Sequence, residues 1–97
     1  MIEVKQFADG ISIKGHARYA KEGPDIVCAA VSILVQNLVQ SIEELTTDKI
    51  EYSISPGSVD IKFRNLSERA QVLLDSFFVG IKMIADEYPA NVRLSKH

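Results

Sequence analysis

The chain has 97 residues, 46% of them hydrophobic, and its eleven Lys and Arg stand against thirteen Asp and Glu. That length suits a single domain over residues 1–97, burying roughly 60–65% of the surface an unfolded chain exposes. The net charge of −2 offers no cationic excess for a phosphate backbone.

One cysteine makes no internal disulfide, and there is no CxxC pair or His-rich tract to hold a metal. No run approaches the ~20 consecutive apolar residues of a membrane span, and the start alternates polar and apolar without a signal-peptide core. The expectation is a cytoplasmic domain with no cofactor, no metal, no direct nucleic-acid partner and no membrane.

Ile2, Val4 and Phe7, separated by polar residues, predict a strand with one buried face. Ala8-Asp9-Gly10 predicts a tight turn with Gly10 at positive φ, and Ile11 to His16 alternates again as the second strand of a hairpin. Ala17 to Gly23 has no period and ends in Gly23-Pro24, a break. This segment is a loop and a candidate lid.

Pro24 or Asp25 opens a helix, the proline through its fixed φ and the aspartate as a cap or first-turn carboxylate. Val27, Val31, Leu34, Leu38, Ile42 and Leu45 form one stripe, with Ile26, Ala29, Ala30, Ile33, Val35 and Val39 largely off it. No charged residue stands between Asp25 and Glu43. Such a helix needs cover on two sides, from a second helix or a second subunit.

Ile50–Ile54 and Val59–Phe63 alternate on either side of Ser55-Pro56-Gly57-Ser58, which reads as a second hairpin. Asn65 or Ser67 caps a second helix whose stripe is Ala70, Leu73, Leu74, Phe77, Ile81, Ile84 and Tyr88, and Pro89 ends it. Asn91 to Leu94 is a candidate last strand. The order ββαββα(β) predicts an α+β fold: an antiparallel sheet of two hairpins, with a possible fifth strand, and two helices on one face.

Most of the reactive groups lie between Gly15 and Ser32. The cysteine, Cys28, comes twelve residues after His16, one of two histidines. A thiol near a helix start meets partial positive charge and unpaired N–H groups that favour thiolate, and an adjacent imidazole takes its proton. Asp25, Cys28 and Ser32, at i, i+3 and i+7, share one narrow arc of the helix. A plainer reading stands beside this one. A lone cysteine in an apolar helix is commonly a small core residue, Asp25 a cap, and Ser32 bonded to the carbonyl of Cys28. Placement alone leaves three classes open: a thiol protease, a non-catalytic module that docks on another protein with Cys28 in its core, and a thiol enzyme acting on a small acyl substrate.

Gly15-His16-Ala17, a variable segment, and then Gly23-Pro24-Asp25-Ile26-Val27-Cys28-Ala29-Ala30-Val31-Ser32 resembles the signature of the ribosomal-processing cysteine protease family, Prp. The resemblance implies a cytoplasmic protease, usually a homodimer, that removes a short N-terminal extension from a large-subunit ribosomal protein. It places the catalytic histidine on His16 and the nucleophile on Cys28, with Asp25 and Ser32 at further signature positions. Arg18, Tyr19, Lys21 and Glu22 fall in the variable segment, where substrate preference would differ between members. On this reading Gly15 and Gly23 are the hinges of a loop closing over an extended peptide.

Overall fold

The computed structural model describes residues 1–16 and 26–97. Among these residues five strands, β1 (Ile2–Phe7), β2 (Gly10–Lys14), β3 (Glu51–Ser55), β4 (Ser58–Lys62) and β5 (Val92–Lys96), form one sheet in the order β3-β4-β2-β1-β5. The helices are α1 (Ile26–Leu45) and α2 (Glu68–Glu87).

Both predicted hairpins are present, β1 with β2 and β3 with β4, and β4 joins them by pairing antiparallel with β2. The fifth strand is also present. It lies parallel to β1, so the sheet is mixed rather than wholly antiparallel. The reason is the connection. Strand β5 follows a 20-residue helix rather than a tight turn, and a helical crossover returns the chain in the direction of the strand it left.

Alternation sorts the sheet into two faces. Ile2, Val4, Ile11, Ile13, Ile61 and Val92 point to the helices and are buried with Val27, Val31, Val35, Leu38, Val39 and Ile42 of α1 and Leu74, Phe77 and Ile81 of α2. The other face carries charge and hydroxyls, including the ion pair Lys14–Asp60 at 2.7 Å and Arg93–Glu3 at 3.6 Å. These pairs are solvent-exposed and add little stability; their effect is to keep that face soluble.

Three local expectations are corrected. Phe7 is of opposite parity to Ile2 and Val4, so it lies 39% exposed on the outer face and stacks on His97 with ring centroids 5.1 Å apart. Gly10 does not take a positive φ but starts β2 opposite Phe7. It must be glycine because a β-carbon there would stand 2.5 Å from the carbonyl oxygen of Ile61. In α1, Leu45, the last residue of the predicted stripe, is 54% exposed at the helix end, while the off-stripe Val35 and Val39 are buried, as cover on two sides requires.

The second cover that α1 requires comes from α2, where Gly80 leaves room for the Leu34 side chain. By length and composition α1 is long and apolar enough to cross a membrane, although no 20-residue apolar run exists in the sequence. In the fold its buried arc is part of the core.

Helix α2 is closed at both ends. The Ser67 hydroxyl accepts from the amide of Ala70, and Tyr88 donates to the carbonyl of Ile84 just before Pro89. Asn65, the other candidate cap, instead takes a left-handed turn at φ 52°. The Asp48 carboxylate accepts from both the hydroxyl and the amide of Ser67, and these bonds hold its carboxyl below the ordinary value of 3.8.

Ser67→Ala is expected to cost about 1 kcal/mol of unfolding free energy in urea titrations. Because the carboxyl of Asp48 is lowered on folding, its contribution is complete above the ordinary value and is lost as pH falls through the lowered one. The stability difference between wild type and Asp48→Asn should therefore stay constant near neutrality and shrink below pH 3.8. An undiminished difference in more acid solution would show that the bonds do not need the charge.

Candidate active site

Strand β2 ends at Lys14, but its hydrogen bonding continues for two residues. The Gly15 amide donates to the carbonyl of Gly57 at 2.9 Å, and the Met1 nitrogen donates to the carbonyl of His16 at 2.7 Å. Gly15 takes a φ of 103°, and the Met1 carbonyl leaves no space for a β-carbon there. That turn sends the exposed side chain of His16 toward the tip of the β3–β4 hairpin, where its imidazole lies against Gly57.

Cys28 is the third residue of α1, whose first turn among the described residues carries no acidic side chain. It is half-buried and packs against the core, so the thiol rides on a rigid backbone. It also faces a cleft of about 330 Å³. The helix forms one wall with Cys28, Val31, Ser32, Val35 and Gln36; the hairpin from Ile54 to Val59 forms the other; and Ile2, Ile13 and Gly15 form the floor. A space of this size, mostly apolar with a few hydroxyls and one thiol, accepts side chains of an extended peptide rather than a charged metabolite.

Of the residues predicted from sequence, Gly15, Cys28 and Ser32 line this one cleft, and His16 reaches it through its contact with Gly57. Asp25, Arg18, Tyr19 and Gly23, the expected lid over residues 17–23 and the expected cap of α1 lie outside the described residues. Among the lining residues with polar side chains, three escaped the sequence reading. Gln36 extends the Cys28–Ser32 arc by one further i+4 step, a signal that was present. Ser55 and Ser58 flank the turn, and only the sheet order reveals that this turn faces α1.

A thiol lining an apolar cleft at a helix start and an imidazole against Gly57 of the same cleft form the group set of cysteine-dependent peptide hydrolysis. The comparisons with known proteins agree. A family model described as cysteine protease Prp matches residues 1–93. The ribosomal processing cysteine protease Prp of Staphylococcus aureus is 32% identical over 88 residues, covering 88% of this chain and 83% of the relative. A crystal structure of the S. aureus essential ribosomal processing protease Prp with a covalently linked product peptide superposes with a TM-score of 0.93 at 27% identity. A second, with a substrate peptide, gives 0.89 at 26%; both cover the whole of each chain. The chain belongs to the Prp family of cysteine proteases.

Ile54 contributes apolar surface to the cleft yet is 47% exposed, so its loss should barely touch folding. Ile54→Ser is expected to stay within about 0.5 kcal/mol of wild-type stability while raising KM for a cleaved peptide. Loss of a contact of about 1 kcal/mol corresponds to roughly fivefold. An unchanged KM would show that peptide side chains do not use the hairpin wall.

Proposed function

We propose that this protein is an endopeptidase that removes a short N-terminal extension from a large-subunit ribosomal protein, with Cys28 as nucleophile and His16 as proton carrier. The observation that carries this reading is a cleft lined by Cys28 and by Gly57, against which the His16 imidazole lies, in a fold that superposes on protease structures holding peptides. His16 takes the thiol proton and Cys28 Sγ attacks the scissile carbonyl. The C–N bond breaks as His16 protonates the leaving amine, and water then releases the acyl group. Backbone N–H groups at the start of α1 offer partial positive charge to the oxyanion without help from a side chain. Asp25 and Ser32 are assigned supporting roles from their signature positions, and Arg18, Tyr19 and Gly23 are assigned to substrate contact on the same ground.

The reading extends to a homodimer. Ile26 and Ile33, seven residues apart on one side of α1, are 54% and 61% exposed, large apolar side chains open to solvent on a helix whose other arc is in the core. A two-fold axis against this side would cover both residues twice.

Incubation with the host's extended ribosomal protein should yield the truncated form by mass spectrometry, and Cys28→Ala should yield none. No cut, or an equal cut by the variant, refutes the assignment. Iodoacetamide at pH 6 should alkylate Cys28 faster than an unstructured thiol peptide; equal or slower reaction favours a core cysteine in a docking module. Light scattering should give twice the 10.8 kDa chain mass, and Ile33→Asp should halve it. A wild-type mass of one chain at micromolar concentration removes the dimer.

A further inference from the structure

The Pro56-Gly57 turn answers to more than chain reversal. Gly57 has a φ of 71°, which the turn requires, and it also sits beneath the His16 ring. A β-carbon at residue 57 would stand 2.6 Å from Nε2, 3.1 Å from Cε1 and 3.4 Å from Cδ2. Carbon–carbon contacts settle at about 3.5–4 Å, so one partner would have to move.

Which partner moves follows from how each is held. The backbone at Gly57 is committed twice: it closes the turn between the paired residues Ser55 and Ser58, and its carbonyl accepts from Gly15. The imidazole is exposed and sits at the end of a side chain with two rotatable bonds. It is the ring that gives way. At Gly10 and Gly15 the obstructing atom is a backbone carbonyl oxygen, of Ile61 and Met1, so a side chain there would strain the sheet itself. Gly57 differs from both: filling it leaves the strands in register and displaces a histidine.

We infer that Gly57 is a positioning residue for His16, its absent side chain forming the seat on which the imidazole rests at the rim of the cleft. Its carbonyl steadies the backbone one residue earlier, so a single glycine governs both the root and the tip of the histidine. The inference rests on the proton-carrier role proposed for His16. The seat and the positive φ are separable, because asparagine adopts positive φ more readily than alanine yet carries the same β-carbon.

The test compares Gly57→Ala, Gly57→Asn, His16→Ala and wild type. Activity is read as kcat and KM on a peptide spanning the extension of the host's ribosomal protein, and the ring as NMR resonances of histidine-labelled protein. With two histidines in the chain, His97 serves as internal reference. Both glycine variants should lose about 100-fold in kcat, the scale of a roughly 1 Å misplacement, with KM little changed. His16 ring resonances should move and those of His97 stay. The Asn variant should melt closer to wild type than the Ala variant without regaining activity. Recovery of kcat by Asn, or His16 resonances unmoved in both variants, overturns the inference. Wild-type kcat in His16→Ala refutes the proton-carrier role instead, a result the NMR comparison does not depend on.

Discussion

The Gly15 amide donates to Gly57 on one side, and the His16 carbonyl accepts from Met1 on the other. The placement of the site depends on this two-sided hold. It exists because β2 lies inside the sheet, between β4 and β1, so the residues that overrun its end still find partners on both flanks. A strand at the edge would leave one side to water, and its terminal residues would sample many conformations. Here the root of the His16 side chain inherits the order of the sheet.

The thiol inherits the order of the core in a comparable way. Cys28 lies between Val27 and Val31, both buried, so the first turn of α1 is anchored on the strands below it. Cys28 has two sides, one against the apolar core and the other facing the cleft, so packing in the core and access to a peptide do not exclude each other. A fully buried thiol has no access to a peptide, and a fully exposed one has no fixed direction. Half-burial at a helix start satisfies both demands, and it does so because the two-layer packing ends where the cleft begins.

The element order was legible because each segment carries its own period. Strands alternate and helices repeat near 3.6, and Gly, Pro and Ser punctuate the joins. Where the reading slipped, a neighbour decided. Phe7 is one residue out of phase with Val4, and its partner on the outer face, His97, is ninety positions away in the chain. Val35 and Val39 are buried and Leu45 is not, because α2 and the sheet cover different parts of a helix that is apolar nearly all round. No pattern within the helix distinguishes those residues. The direction of β5 was hidden for the same reason: pairing with β1 lies outside any local window.

Ninety-seven residues with one cysteine and a net charge of −2 narrowed the options without choosing among them. The run from Gly15 to Ser32 determined the family and the candidate thiol and imidazole, since those identities and spacings are covalent facts that folding does not alter. Only the tertiary structure decided which distant backbone meets them. It turned the tip of the second hairpin toward α1, made Gly57 the seat of His16, and added Gln36, Ser55 and Ser58 to the cleft. Contacts of that kind are set by strand order and helix crossing. They arise from the burial of the whole apolar face at once, and no single segment encodes them.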